Sequence, residues 1–428
     1  MTVNLSDCVW VDHRFELPVN HHQPDGRTIN VFARELRAHG REAESLPWLV
    51  YLQGGPGFPA PRPTALTGWM KRAAKQFRIL LLDQRGTGQS TPQTHQTLAH
   101  LTAEQQAEYL QYFRADQIVA DAEAIRQQLG IERWSLLGQS FGGFCALTYL
   151  SFYPDSLKQV YITGGIPPIH RSIEEVYQAT FARTAEKNQR LWQRFPGLAK
   201  KTDQLAQLLR GQAALMPNGQ QLTAEQIQAL GIDLGRSGGA ESIYHLLDNA
   251  VIEVPEQGLQ VRYEFLQDML AHQGFLTNPI YGLLHESIYC EGEASNWAAQ
   301  RVMDSLPEFS ATQERLQLVG EMVFPWMFEQ LQTLKPLQSA AQILAEKSDW
   351  PALYDRQQLA NNTVPVAAAM YTQDMFVEYD FSRETLSKMA NARAWETNEY
   401  EHNGIGVDGE RILDKLIAMA DDIERCRC

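Results

Sequence analysis

The sequence predicts an α/β fold, a mostly parallel sheet flanked by helices and interrupted by a long helical insert. Three observations predict it. Four short continuous apolar runs fall in the first 165 residues, each running into glycine. A segment with helical spacing separates the second run from the third. After Gly165 the strand signals stop, and they return only near residue 364.

The runs are PWLVYL (47–52) ahead of GGPG, FRILLLD (77–83) ahead of RGTG, RWSLLG (133–138) ahead of QSFGG, and VYITGG (160–165). Unbroken apolar runs of this length fit strands covered on both faces of a parallel sheet. In DQIVADAEAIRQQLG (116–130), Ile118, Val119, Ala122, Ile125 and Leu129 recur at helical spacing, and Gly130 stands where a C-cap is expected. Strand, helix and strand in that order give a right-handed βαβ unit. Ahead of them, VDHRFELPVNH and RTINVFARELR lean toward alternation around a PDG turn, which predicts a hairpin.

From Pro167 to about Ala345 the chain is rich in Gln, Leu, Ala and aromatics. In EEVYQATFARTAEKNQRLWQRFP (174–196), Tyr177, Phe181, Thr184, Asn188, Leu191 and Phe195 define one imperfectly apolar helix face. Strand patterns return in VPVAAAMY (364–371) and ARAWETNEY (392–400), followed by an amphipathic helix over 408–424. The expected division is a core first part at 1–166, a helical cap at 167–345 and a core second part at 346–428. A chain of 428 residues exceeds what one compact core usually holds.

Composition narrows the function classes. Net charge is −14, which argues against nucleic acid, since phosphate binding needs a surplus of Lys and Arg. The five cysteines (Cys8, Cys145, Cys290, Cys426 and Cys428) are scattered and imply no disulfide framework. The Cys-x-Cys tail is read as a frayed terminus rather than a metal site. The opening MTVNLSDCVW lacks a signal-peptide pattern, and no apolar run is long enough to span a bilayer. A cytoplasmic protein without membrane attachment is expected. Oligomeric state is open.

Gly138-Gln139-Ser140-Phe141-Gly142-Gly143 contains G-x-S-x-G. The pentapeptide is weak alone. Here it follows a buried strand and precedes the helical run FCALTYLSF, the context a nucleophile elbow needs in an α/β-hydrolase core. A serine hydroxyl needs a base, and in that fold the order is Ser, acid, His. His402 is the only histidine after His285, and its EHNG setting is a loop after the last strand pattern. Asp374 lies three residues past VPVAAAMY, with Glu378 and Asp380 as rivals further out. Ser140, His402 and Asp374 are therefore the expected catalytic residues. The oxyanion donors are the backbone N–H groups of Phe141 and of the Gln53-Gly54-Gly55-Pro56-Gly57 loop, with Gly55 preferred over Gly54. Asp83 and Arg85 of DQRGTGQS (83–90) are either substrate contacts or, the favoured expectation, an ion pair that holds this 83–90 loop.

GGPG, DQRGTGQS and GQSFGG in this order resemble the proline iminopeptidases, and TGGIPPI, KNQRLWQRFP, LLHESIYCEG, NWAAQRV and GEMVFPWMFE resemble the larger bacterial form of that enzyme. The resemblance covers nearly the whole chain. It implies release of N-terminal proline from peptides without metal or cofactor, and a helical cap over the core. Gln53 replaces a histidine of the smaller members, which leaves backbone donors intact. The resemblance also implies cap carboxylates around the substrate's ammonium. Glu286 matches best, Asp248 loosely, and Glu321 is a third candidate. Phe141 and Tyr289 are candidates for the proline slot, and Cys290 is read as a buried inert thiol. The rival readings are an esterase or broad amidase, and a non-catalytic member that binds a partner. HESIY (285–289) lacks the second histidine of H-E-x-x-H, which disfavours a metallohydrolase.

Overall fold

A computed structural model describes residues 2–426. In chain order the strands are β1 (Thr2–Asn4), β2 (Cys8–Pro18), β3 (Thr28–Ala38), β4 (Trp48–Leu52), β5 (Arg78–Leu82), β6 (Trp134–Gln139), β7 (Leu157–Thr163), β8 (Ala214–Leu215), β9 (Gln221–Leu222), β10 (Val251–Val254), β11 (Gly258–Val261), β12 (Val366–Tyr371) and β13 (Ala392–Thr397). Among the described residues, nine of them form one sheet in the order β1-β2-β3-β5-β4-β6-β7-β12-β13. The β1–β2, β2–β3 and β3–β5 pairs are antiparallel, and every pair from β5 to β13 is parallel. The predicted hairpin is the β2–β3 pair, and each apolar run is a strand.

The runs are continuous because both faces of the sheet are covered. Side chains alternate across a strand. Val50, Leu52, Leu80, Leu82 and Leu136 pack with the helices Ala115–Gln128 and Phe141–Phe152. Leu49, Tyr51, Ile79, Leu81 and Leu137 pack on the other face with Trp69, Met70, Ile412 and Leu416, from helices Gly68–Ala73 and Gly409–Arg425. Each such fully buried side chain contributes roughly 1.5–3 kcal/mol.

Between β7 and β12 the chain is mainly helical. Its longest helix, Ile173–Arg194, opens with a capping box between Ser172 and Glu175. It buries Tyr177, Phe181, Thr184, Asn188 and Leu191, the face that the spacing marks, and it also buries Lys187. A second cluster built on Ile280, Leu284, Phe324, Met327, Phe328 and Leu334 shares its interior with Leu110 and Phe113. The expectation that strands stop after Gly165 is corrected: β8–β9 and β10–β11 form two small antiparallel hairpins there. The second was legible in VIEV and GLQV, where β-branched residues flank a turn with Glu256 and Gly258 at positive φ.

Cys8, Cys145 and Cys290 are buried free thiols and Cys426 is exposed. Cys428, and with it the Cys-x-Cys tail, lies outside the described residues. Among the described residues no helix is long and apolar enough to cross a membrane.

Candidate active site

Ser140 sits between β6 and the helix Phe141–Phe152, with φ 54° and ψ −126°. A non-glycine residue in that region costs about 1–3 kcal/mol, and such strain persists only where the surroundings enforce it. Here they do. The Ser140 N–H donates to Thr163 O at 3.0 Å, and its carbonyl accepts from Gly143 N at 2.7 Å. A methyl group on Gly142 would overlap the carbonyl of Leu52, so only glycine lets the helix start this close to β4.

Asp374 follows β12, and its N–H donates to Tyr371 O at 3.1 Å. Its carboxylate is fully engaged. Oδ1 accepts from the N–H groups of Phe376 (2.9 Å) and Val377 (3.1 Å). Oδ2 lies 2.7 Å from His402 Nδ1. The rivals go elsewhere: Glu378 pairs with Arg183 at 3.1 Å, and Asp380 lies in the helix Tyr379–Ser387. His402, after β13, is buried, packs edge-on against Phe376 and donates its backbone N–H to Gly235 O at 3.0 Å. Burial opposes charge on the imidazole, but the Asp374 charge and hydrogen bond, with Glu321 and Glu401 further off, raise its pKa above the ordinary histidine value.

The three residues leave the same end of neighbouring parallel strands, with β7 between β6 and β12. The loop after β7 measures how close they come. A methyl on Gly164 would lie 3.3 Å from His402 Nδ1, and one on Gly165 would lie 3.0 Å from Ser140 N. A serine at a strained turn, an imidazole and a buried carboxylate bound to that imidazole are the parts of a serine nucleophile with its base.

The glycine loop after β4 adjoins the serine: a methyl on Gly54 would come 2.9 Å from Ser140 Cβ. Phe141 opens its helix, so its N–H has no acceptor within that helix. The expected Asp83–Arg85 pair is corrected. Asp83 binds Arg62 and accepts from Ala60 N at 3.0 Å. Arg85 forms a buried pair with Asp121, with Nε 2.7 Å from Oδ2. Successive turns point the two side chains apart, so each finds a partner distant in sequence. Gln84 between them donates from Nε2 to Gln53 O at 2.9 Å. DQRG thus anchors the glycine loop at both ends, with Asp83 and Gln84 as the anchors.

A cavity of about 550 Å³ opens beside these groups, with Gln139, His402, Phe58, Tyr281, Trp326 and Phe376 on its wall. The three cap carboxylates fare differently. Glu321 accepts a hydrogen bond from the Tyr281 hydroxyl and adds to the field on His402. Glu286 is buried. Its oxygens accept from Ala299 N (2.9 Å) and Ala298 N (3.2 Å), at the start of the helix Ala298–Asp304. Burial raises its pKa, and the donors of Ala299, Ser295 and Ala298 only partly offset this. Asp248 ends the helix Gly239–Asp248 and pairs with Lys201 at 2.7 Å, part-exposed. The carboxylate that sequence reasoning missed is Asp233, which lines the cavity, pairs with Arg236 and lies 3.6 Å from His272. Nothing in IDLGR marks it, because only the docking of Gly235 on His402 brings it to the wall.

Tyr289 stands over the elbow helix, its ring 5.9 Å from that of Phe144, which in turn lies 6.3 Å from Phe141. Cys290 is buried, and burial pushes its thiol up to about 12.

The mostly parallel sheet and the sharp serine turn at its edge define an α/β-hydrolase, and a family model described as "alpha/beta hydrolase fold" matches residues 47–243. A proline iminopeptidase of Aeromonas sobria is 55% identical over 413 residues, spanning 96% of each chain. One from Aspergillus aculeatus is 36% identical over 97% of this chain and 94% of its own. The chain belongs to the proline iminopeptidase family. Among solved structures it is similar to a proline iminopeptidase of Mycobacterium smegmatis at 13% identity and a TM-score of 0.48, covering 97% of this chain and 100% of that one.

Proposed function

We propose that this chain is a serine aminopeptidase that releases N-terminal proline from peptides, with Ser140 as nucleophile, His402 as base and Asp374 orienting the base. The supporting observation is the buried 2.7 Å contact between His402 Nδ1 and Asp374, beside a serine held at φ 54°. Bound in that way, Nδ1 keeps its hydrogen and Nε2 is left to accept the serine proton. Ser140 Oγ attacks the carbonyl of the first residue as His402 takes its proton. The N–H groups of Phe141 and Gly55 receive the oxyanion. The tetrahedral intermediate collapses as His402 protonates the leaving amine, and water, activated by the same imidazole, frees proline from the ester.

A substrate ammonium entering a closed cavity needs an opposing charge. Glu321 is the proposed partner, since its carboxylate reaches Tyr281 on the cavity wall. Glu286 holds the start of the helix Ala298–Asp304, and Phe141 and Tyr289 border the proline slot. Residues 167–345 are proposed as the cap. The buried thiols Cys8, Cys145 and Cys290 favour a reducing, cytoplasmic setting.

Proline 4-nitroanilide and its N-acetyl derivative provide the test. The free imino acid derivative is expected to turn over and the blocked one to stay intact, with Ser140→Ala inactive on both. Equal cleavage of the two would replace the aminopeptidase reading with a general amidase or esterase.

A further inference from the structure

The helix Ile173–Arg194 carries a second face that the apolar pattern does not mark. Arg183, Lys187 and Arg190 recur at steps of four and three, one stripe along the helix. Arg183 reaches Glu378 at 3.1 Å, and Arg190 binds the side chain of Gln373. Gln373 and Glu378 lie on either side of Asp374. Lys187 Nζ lies 2.6 Å from both carboxylate oxygens of Glu401, the residue before His402. One helix stripe therefore fastens to the loops that carry both Asp374 and His402.

Lys187 is the telling member. Its side chain is 7% exposed, whereas Glu401 is 28% exposed. Taking an ammonium out of water is costly unless it is paired, and here the partner is supplied across the boundary between insert and sheet. We propose that Lys187 is a positioning residue for His402: it clamps the 401–403 loop to the insert and balances the Glu401 carboxylate beside the imidazole. This rests on the reading of His402 as the base.

The charges facing His402 come from several elements. Asp374 follows β12, Glu321 belongs to the insert and Glu401 to its own loop. Asp233, Arg236 and His272 line the same cavity. Among these, Glu401 favours the imidazolium, and Lys187 holds both oxygens of that carboxylate. In this proposal the Lys187 ammonium offsets part of the Glu401 charge, so removing either member should unbalance the imidazole in opposite directions. Loss of packing alone would lower activity without moving the imidazole in either direction.

The test measures kcat/KM on proline 4-nitroanilide across the acid limb for the full chain and for Lys187→Met, Glu401→Gln, the double variant and Lys187→Arg. Lys187→Met should move the acid limb to higher pH by about half a unit, because Glu401 then acts alone on the imidazole. Glu401→Gln should move it to lower pH by a similar amount. The double variant should return close to the wild-type limb, and Lys187→Arg should retain it. Limbs that stay put, or that move the same way in both single variants, would overturn the inference. If Lys187→Met does not fold, the downward shift in Glu401→Gln and the behaviour of Lys187→Arg still decide. Failure here with a wild type whose turnover depends on Ser140 refutes the clamp alone. Turnover indifferent to Ser140 refutes the underlying reading and the clamp with it.

Discussion

Replacing Asp374 by Asn changes one atom and gives a magnitude that can be worked from the geometry. Oδ1 accepts two buried backbone N–H groups, from Phe376 and Val377. An asparagine that keeps its oxygen there must aim its NH2 at His402 Nδ1. That donor forces the tautomer with hydrogen on Nε2, which cannot accept the serine proton. The opposite orientation presents oxygen to His402 but leaves two buried N–H groups facing an NH2. At about 1–3 kcal/mol for each unsatisfied group, that flip costs about 2–6 kcal/mol. At about 1.36 kcal/mol per factor of ten, kcat should fall by about 30-fold to about 3 × 10⁴-fold, with KM little changed. The acid limb should also move. The Asp374 charge raises the His402 pKa, and activity is lost as pH falls through that value. Removing the charge shifts the limb to lower pH. Steady-state kinetics on proline 4-nitroanilide over a pH series measure both effects. A variant within threefold of wild type, or a limb displaced upward, would refute the assignment of Asp374.

Three further predictions follow from single contacts. Glu286→Ala should lower stability by about 1–2 kcal/mol through loss of acceptors at a helix start, read as a lower melting temperature, while KM for proline 4-nitroanilide stays within about twofold. A large rise in KM with unchanged melting would instead make Glu286 a substrate contact. Arg85→Met leaves the buried Asp121 carboxylate with His21 alone at 2.7 Å and should cost about 3 kcal/mol in urea unfolding. A loss under 1 kcal/mol would contradict that pairing. Gly142→Ala drives a methyl into Leu52 O, so the expected product is a soluble protein with collapsed kcat, or none at all. Normal turnover from Gly142→Ala would mean that the turn is looser than its backbone angles indicate.

The sheet was legible because both its faces are covered, which turns each strand into an unbroken apolar word such as FRILLL. The closeness of Asp374 and His402 was legible for a different reason: chain order and the two late strand patterns left few residues at the right sheet edge. Partners set by helix docking were not legible. Asp248 reads as a cap carboxylate and ends up beside Lys201, and Asp233 reads as nothing and lines the cavity. Asp83 and Arg85 look like natural partners two residues apart, yet a turn sends one to Arg62 and the other to Asp121. The Arg183–Lys187–Arg190 stripe had a visible period, but an ordinary solvated helix face has the same period. Only the loops it meets distinguish the two.

The pairing of β7 with β12 has an evolutionary consequence. Val160 opposes Val366 and Thr163 opposes Ala369, so strands about 200 residues apart in sequence are in register as immediate neighbours. Parallel neighbours require a crossover excursion in any case, and the sheet places no upper limit on its length. Drift, lengthening or replacement of that excursion leaves the β7–β12 registry intact. On the proposed reading of the insert as a cap, selectivity and bond cleavage are inherited on stretches of chain that can change at different rates, coupled at the few points where the long helix meets the loops.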